Sequence, residues 1–448
     1  MDISAPAVTT RQGSVRGSGD GTVVAFRGIP YAASPVGTLR FRPPAPHPGW
    51  SGMRDGPRPG PAVPQGRSRL ESVMGPREPD WDEDGCLNLN VWTTASALRG
   101  TAPRPVLVWF HGGGFTSGSG GWDWYDGRQL AAAGDIVVVT ANYRLGALGY
   151  LRLPGIGADN LGCQDQAAVL RWTRANIAAF GGDPGQVTVG GQSAGAYSAL
   201  MLAIDPATSD LVHRVIAQSG PWGLDPQQPE AADQAASRYL ALLGISSGDG
   251  TGEALRQVPA ADLVTAYGQL ASQFPQPGSA APPMWPVLGG PGVPLRWQDG
   301  LKQRAGVTGR QVLIGRTEDE ITAFPAVADA HPRGMAAATE ELFGAGVTHI
   351  AETCAARGTP ALVYRFTRAS AADPALGATH CSDLPFAFGN LGAYSRAPML
   401  GPVSDSDRAL ARSLSTALAR FAATGLAGDP GWPAYRPDED RHIRRFGG

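Results

Sequence analysis

The feature that most constrains the fold of this chain is a series of short apolar runs that are continuous rather than alternating. Six of them are rich in β-branched residues, and they occupy residues 106–110, 136–143, 187–191, 215–220, 312–315 and 361–366. Strands that are apolar along their whole length are typical of a sheet covered on both faces. The sequence therefore predicts a central sheet of buried strands.

Helical stretches separate these runs. Between the second and third runs, residues 164–180 keep an approximate helical period before a Gly-Gly-Asp-Pro stop. The apolar positions of this period are Ala167, Leu170, Ile177 and Phe180. Strand, helix and strand in this order imply parallel strands. The predicted fold class is thus α/β, with a mostly parallel central sheet flanked by helices.

A further helix is predicted late in the chain. Ser406 is a suitable N-cap residue, and Gly425 is a suitable stop. The residues between them form an apolar stripe of Leu410, Leu414, Leu418 and Phe421. Because such a stripe needs an apolar partner, we expect this helix to pack on the sheet.

The length of 448 residues exceeds that of a typical domain, yet α/β proteins with a large sheet often reach it as one unit. Residues 272–296 are too rich in proline and glycine for a regular element, and we expect a long surface excursion there. Because strand signals resume at residue 312, we predict a single domain over residues 1–448.

The composition argues against several kinds of partner. A formal net charge of -2 leaves no basic stripe for a phosphate backbone, so we expect no nucleic acid. No apolar stretch approaches the roughly 18 residues that span a bilayer, and residues 1–10 lack the features of a signal peptide. The four cysteines are too widely spaced for a zinc knuckle or a disulfide scaffold. We therefore expect a cytoplasmic chain with free thiols and no membrane partner.

The segment 187–203 predicts a strand, a tight turn and a helix, and the turn contains Gly191-Gln192-Ser193-Ala194-Gly195. This is the Gly-x-Ser-x-Gly pattern in the context that the nucleophile of an α/β-hydrolase fold requires. A serine in such a turn is presented at the carboxyl edge of the sheet, beside the positive end of a helix. Ser193 is the candidate nucleophile.

About 80 residues upstream, a predicted strand leads directly into His111-Gly112-Gly113-Gly114-Phe115. Successive glycines allow backbone N–H groups to face a developing oxyanion without an intervening side chain. We expect Gly113 and Gly114 to donate, together with the N–H of Ala194. A Walker-type phosphate loop would need a following Gly-Lys-Ser/Thr, which the sequence lacks.

In this fold the acid follows a late strand, and the histidine follows the acid. The late histidines are His331, His349, His380 and His442. His380 is the best candidate, because it lies 14 residues after the last predicted strand. For the acid, residues 312–315 lead into Glu318, Asp319 and Glu320, and the pattern alone does not choose among them.

The motifs named so far occur in an order that is similar to a known family. Further matching segments are residues 26–46, Cys86–Trp92, the run from Asn160 to Pro184, and residues 377–389. The chain resembles the type-B carboxylesterase family, which includes cholinesterases and bacterial para-nitrobenzyl-type esterases. The resemblance covers almost the whole length.

The resemblance implies an N-terminal antiparallel hairpin region and a Ser-His-Glu triad. The family's Gly-x-x-x-x-Glu arrangement, counted from Gly315, assigns the acid to Glu320, and its histidine falls on His380. Such a triad hydrolyses carboxylic esters through an acyl-enzyme intermediate and needs no metal or organic cofactor. We expect a small-molecule ester as substrate, and a monomer or a weak homo-oligomer.

Two departures from the family carry predictions. Gln192 replaces the usual glutamate before the nucleophile, so we expect a lower pKa of His380 and activity that persists to lower pH. The interval from Glu320 to His380 is only 60 residues. Since this interval holds helices that cover the active site in the family, we expect a shortened lid and a more open pocket.

Aromatic residues near the predicted site suggest apolar acyl and alcohol pockets. The candidates are Phe115, Trp122, Trp124, Trp222 and Trp285, together with Gln192 beside the nucleophile. Short- to medium-chain or aryl esters are the expected substrates. Two alternatives remain: an acyltransferase or biosynthetic cyclase that uses the same serine, and a non-catalytic cholinesterase-like binding protein.

Overall fold

The predicted buried runs form the centre of a ten-stranded sheet. The computed structural model describes residues 5–273, 281–303, 309–326, 333–428, 432–437 and 442–448. The strands are β1 (Ala7–Thr9), β2 (Ser14–Arg16), β3 (Ser18–Gly19), β4 (Val23–Pro30), β5 (Met53–Asp55), β6 (Asn88–Thr94), β7 (Arg104–Phe110), β8 (Val137–Ala141), β9 (Gly182–Gln192), β10 (Arg214–Gln218), β11 (Gln311–Thr317), β12 (Leu362–Phe366) and β13 (Ile443–Phe446).

The order across the large sheet is β13-β12-β11-β10-β9-β7-β8-β6-β4-β3. Along this order, every neighbouring pair from β13 to β8 is parallel. The strands β6, β4 and β3, which complete the other edge of the sheet, pair antiparallel. A small second sheet has the order β1-β2-β5. The predicted mostly parallel sheet with an antiparallel N-terminal region is confirmed.

Helices cover both faces of the sheet. They are Glu71–Met74, Ala95–Arg99, Arg128–Gly134, Gly146–Tyr150, Leu161–Asn176, Ala194–Ile204, Pro229–Leu242, Thr251–Gln257, Ala260–Gln273, Trp297–Lys302, Gly334–Thr339, Ala345–Ala356, Leu384–Ala387 and Asp405–Thr424, with a π-helical turn at Glu340–Gly344. The buried side chains of β7 alternate between two cores. Val106 and Val108 join the core that includes Leu170, and Leu107 joins the core that includes Leu414. This double burial explains why the strands are apolar throughout.

The late helix begins two residues earlier than its predicted cap implies. Ser404, not Ser406, is the N-cap, and its side chain accepts the N–H of Asp407 at 3.1 Å. The Asp407 carboxylate accepts the N–H of Ser404 in return at 2.9 Å, which completes a capping box. The prediction of Ser406 was wrong because Ser406 lies in the first turn of the helix, and of the two serines only Ser404 has an acidic residue three positions later.

Two other features differ from the predictions. Strand β13 was missed, since Ile443–Phe446 is short and contains two arginines. The segment 272–296 was predicted to be irregular, but its first two residues belong to the helix Ala260–Gln273. Residues 281–296 contain no regular helix or strand but are not merely a surface excursion. Met284, Val287 and Val293 are buried there. Residues 274–280 of this segment lie outside the described residues.

Candidate active site

Ser193 occupies the turn between β9 and the helix Ala194–Ile204. Its backbone has φ 56° and ψ -122°, a conformation that is costly for a residue with a β-carbon. Glycines make the turn possible. A β-carbon on Gly191 would lie 2.3 Å from the carbonyl carbon of Gly195, and one on Gly195 would lie 2.0 Å from the carbonyl oxygen of Phe110. The packing therefore holds Ser193 at the carboxyl end of β9.

Glu320 and His380 form a buried pair at the same edge of the sheet. Glu320 opens the 3-10 turn after β11, and His380 lies in the loop after β12. His380 Nδ1 is hydrogen-bonded to one carboxylate oxygen of Glu320, and the other oxygen accepts the N–H of Thr317 at 2.8 Å. His349 lies instead in the helix Ala345–Ala356, and His331 lies outside the described residues.

Each partner changes the pKa of the other. Burial alone raises the pKa of Glu320, but contact with His380 and hydrogen bonds from His380 and the Thr317 N–H outweigh it and lower that pKa. Burial alone lowers the pKa of His380, but Cys381 and Glu320 outweigh it and raise that pKa well above its usual value. Glu320 therefore stays ionised and is able to stabilise an imidazolium.

The three acidic residues after β11 have different environments. The Asp319 carboxylate accepts the N–H of Ala378 at 2.9 Å, and the Asp319 N–H donates to the carbonyl of Ala378 at 2.9 Å. Glu318 lies 3.4 Å from Arg365 near the surface. Of these three carboxylates, all within the described residues, only Glu320 bonds to the imidazole. Asp319 instead ties the acid-bearing loop to the histidine-bearing loop.

Gln192, directly before the candidate nucleophile, contacts the second nitrogen of the imidazole. The distance from Gln192 Nε2 to His380 Nε2 is 3.2 Å. An amide N–H donates to this nitrogen only when the imidazole is neutral and its proton is on Nδ1. Gln192 thus stabilises the neutral, basic form of His380 and opposes the effect of Glu320. Phe324 and Phe343 cover the imidazole, with ring centroids at 5.3 and 5.1 Å.

The glycine loop after β7 lies beside Ser193. Gly113 and Gly114 have φ values of 100° and 61°, a region that glycine adopts readily because it has no β-carbon. The Gly113 carbonyl accepts the N–H of Thr116 at 3.0 Å and that of Ser117 at 3.2 Å, which holds the loop in a tight turn. Gly113, Gly114, Ser193 and Ala194 line one cavity. The predicted donors are therefore brought together with the serine.

His111 holds this loop in place through a hydrogen bond and a ring contact, a role that the sequence did not suggest. Its Nδ1 lies 2.8 Å from the carbonyl oxygen of Gly112, and its ring stacks on Tyr143 with centroids 4.5 Å apart. Burial lowers the pKa of His111 to about 4, so the ring is neutral at physiological pH. A neutral His111 donates to the Gly112 carbonyl through Nδ1 and orients the loop.

The cavity in front of Ser193 has a volume of about 700 Å³, including space open to solvent, and a largely apolar wall. Phe115 and Trp285 line it, as the sequence suggested. Phe324, Leu342 and Phe343 also line it, and all three come from the short interval between Glu320 and His380. That interval therefore supplies a wall of the pocket, and the idea that its shortness opens the pocket stays a prediction.

Other predicted pocket residues do not form part of this wall in the described structure. Trp222 is buried behind it and stacks on Tyr197, with ring centroids 6.2 Å apart. Trp122 and Trp124 are buried in the core on the other face of the sheet. Gln192 is buried against His380. Proximity to the site in the chain suggested a pocket role for these residues, but the three tryptophans are buried in the hydrophobic cores.

A buried polar cluster lies behind the Glu320–His380 pair and was not predicted. The hydroxyl of Tyr364 donates to Asp383 Oδ2 at 2.7 Å, and Gln218 Nε2 donates to the same oxygen at 3.1 Å. Burial raises the pKa of Asp383 to about 6, with Tyr364 opposing that shift. The sequence signal for this cluster is an aspartate, Asp383, two residues after Cys381. Its partners Tyr364 and Gln218 are distant in sequence, so the pattern alone does not reveal the cluster.

Neither a metal-binding cluster nor a membrane-spanning helix occurs among the described residues. No group of three or more histidine, cysteine, aspartate or glutamate side chains there could hold a metal ion. No helix in the described part of the chain is long and apolar enough to cross a membrane. All four cysteines are free thiols and buried.

Comparison with known proteins places the fold among the carboxylic ester hydrolases. The model of the Carboxylesterase family matches residues 4–340 and 329–445. The chain therefore belongs to the carboxylesterase family, and the resemblance predicted from the motifs is confirmed.

Individual relatives agree with this assignment. A probable N-octanoylanthranilate hydrolase of Rhodococcus erythropolis is 38% identical over 96% of this chain and 95% of its own. The para-nitrobenzyl esterase of Bacillus subtilis strain 168 is 34% identical over 96% and 93% of the two chains. The solved structure of a thermophilic para-nitrobenzyl esterase has a TM-score of 0.84 at 33% identity, and the match covers 96% of this chain and 93% of that one. The predicted α/β-hydrolase fold is confirmed.

Proposed function

We propose that this protein hydrolyses short- to medium-chain or aryl carboxylic esters through Ser193, His380 and Glu320. The observation that carries the proposal is the meeting of Ser193 with Gly113, Gly114 and Ala194 at one cavity, beside a buried histidine–glutamate pair. This arrangement offers a nucleophile, a base and oxyanion donors together.

The proposed reaction begins with transfer of the Ser193 hydroxyl proton to Nε2 of His380 as the oxygen attacks the ester carbonyl. The backbone N–H groups of Gly113, Gly114 and Ala194 stabilise the oxyanion, and Glu320 stabilises the imidazolium. The imidazolium then protonates the leaving alcohol, which leaves an acyl-enzyme. Water, deprotonated by the same histidine, releases the acid and restores Ser193.

The Gln192 amide has a defined part in this cycle. The neutral imidazole has one lone pair, on Nε2, and both the Gln192 amide and the Ser193 hydroxyl require it. The amide must therefore yield that nitrogen to Ser193 when the substrate binds. We infer that the Gln192 amide favours the neutral form of His380, against the effect of Glu320, and is displaced as the reaction begins.

The substrate class is inferred from the cavity and from the relatives. Phe115, Leu342, Phe343 and Trp285 give the wall an apolar character suited to alkyl or aryl groups. The names of two relatives include an octanoyl group and a para-nitrobenzyl group. Both kinds of group are compatible with such a wall.

The test is hydrolysis of 4-nitrophenyl acetate, butyrate and octanoate by the wild type and by Ser193→Ala. We expect Ser193→Ala to lower kcat/KM by at least about a thousandfold. Ser237→Ala is the matched control, because Ser237 is exposed on the helix Pro229–Leu242. Equal activity of Ser193→Ala and wild type would contradict the proposal.

The same assays separate hydrolysis from acyl transfer. Added alcohols and amines compete with water for the acyl-enzyme, and the products report the preferred acceptor. The proposal expects free acid as the main product at moderate acceptor concentrations. Predominant transfer to the acceptor would favour an acyltransferase, and absence of any turnover would favour a binding protein.

A further inference from the structure

One charged side chain interrupts the apolar wall of the cavity. Among the described residues that line it, Arg69 alone carries a charge. Arg69 lies in the loop that precedes the helix Glu71–Met74, far from the triad in sequence. A cation in a largely apolar cavity attracts anionic ligands strongly, because the surroundings screen the charge less than water does.

The guanidinium lies against the glycine loop. A β-carbon on Gly114 would be 2.7 Å from Nη2 of Arg69. Gly114 is one of the residues whose N–H we propose as a donor to the ester carbonyl oxygen. An anionic group within a few bonds of the scissile carbonyl would therefore reach Arg69 while the carbonyl occupies the oxyanion site.

The environment of Arg69 suits recognition of a carboxylate. The residue as a whole is exposed, yet its guanidinium is enclosed enough for burial to lower its pKa, with Tyr267 opposing the shift. A guanidinium presents a planar fork of N–H donors that matches the two oxygens of a carboxylate. The chain thus offers directional binding in addition to charge.

We propose that Arg69 binds a carboxylate of the substrate, so that the preferred substrates are esters with an anionic group a few bonds from the scissile carbonyl. This inference rests on the proposed function, because it requires an ester bound at Ser193. The carboxylate belongs either to the acyl part or to the alcohol part, and the two sources are separable by experiment.

Three esters form the test. Phenyl hexanoate is neutral, monophenyl adipate carries a carboxylate at the end of an acyl chain of the same length, and 2-carboxyphenyl hexanoate carries it on the leaving group. For each ester, kcat and KM of a variant are divided by those of the wild type, which removes differences in intrinsic reactivity.

Arg69→Gln is the main variant. We expect its kcat/KM to fall at least about tenfold more for one of the two charged esters than for phenyl hexanoate, chiefly through KM. Arg67→Gln is the matched control, because Arg67 is exposed and pairs with Glu78 and Glu71 outside the cavity. Arg67→Gln should give the same variant-to-wild-type ratio of kcat/KM for all three esters. If Arg69→Gln unfolds, as thermal melting would reveal, Arg69→Lys is used and must retain a preference for the charged ester.

The outcomes are distinct. An equal loss with all three esters would mean that Arg69 only supports the glycine loop, and no change with either charged ester would exclude substrate contact. Both results would overturn this inference while leaving the proposed function intact, provided that the wild type hydrolyses phenyl hexanoate through Ser193. If the wild type hydrolyses none of the esters, the proposed function fails first.

Discussion

At the scale of single residues, Gln192 distinguishes this site most clearly. Its amide lies 3.2 Å from the nitrogen of His380 that would accept the serine proton. A glutamate in its place would present a carboxylate, which accepts a hydrogen bond from a protonated imidazole and favours its positive charge. The single exchange of an amide for an acid thus acts on the basicity of His380.

We predict that Gln192→Glu raises the pKa of His380 by about one pH unit. The reaction needs neutral His380, so a raised pKa means that activity is lost at a higher pH as the solution becomes more acidic. The acid limb of the pH profile of kcat/KM should therefore move upward. The wild type keeps its activity to lower pH than the variant.

Gln269→Glu is the control for this prediction, because it adds the same charge at an exposed position on the helix Ala260–Gln273. Its profile should overlay that of the wild type. An unmoved acid limb in Gln192→Glu would show that the amide does not govern the basicity of His380.

At the scale of elements, the turn between β9 and the helix Ala194–Ile204 requires a very close approach of backbone segments. Phe110, at the end of β7, presents its carbonyl oxygen where a β-carbon of Gly195 would lie. The strand, the turn and the helix are therefore in contact through backbone alone. The position of Ser193 depends on this close approach.

We predict that Gly195→Ala displaces the turn, because the added β-carbon would lie 2.0 Å from the carbonyl oxygen of Phe110. We expect a loss of about 1–3 kcal/mol in the free energy of unfolding. A fall of about a hundredfold in kcat/KM should accompany it, since a small misplacement of the nucleophile is costly. Urea unfolding and ester hydrolysis measure the two effects.

Gly268→Ala provides the comparison. Gly268 lies on the helix Ala260–Gln273 with no atom within 4 Å of a β-carbon built there. Alanine favours a helix over glycine, so this variant should gain roughly 0.5–1 kcal/mol in stability. If both substitutions changed the free energy of unfolding in the same way, the close approach to Phe110 would not explain why residue 195 is glycine.

At the scale of the whole molecule, the sheet was predictable because its strands are buried on both faces. Leu107 and Val108 point into different cores, so β7 has no polar face and its apolar run is unambiguous. The edge strand β13 lacks this signal because Arg444 and Arg445 lie in it. The prediction of a single domain over residues 1–448 stays a prediction.

The site was predictable only in part. Ser193 and the glycine loop have local patterns, whereas the choice of Glu320 over Glu318 and Asp319 needed the family resemblance. The pocket wall has no local pattern, because it is assembled from separate loops. Arg69 was missed for this reason, and Trp222 was assigned to the wall although the core buries it.

The central claim is that Ser193 is the nucleophile of a working esterase, and a fluorophosphonate probe tests it most directly. Peptide mapping of the labelled protein should find one label per chain, on Ser193, and the ester hydrolysis should fall in proportion to labelling. Ser193→Ala should take up no label. Hydrolysis that continues in fully labelled protein, or labelling of another residue in Ser193→Ala together with undiminished activity, would contradict the account.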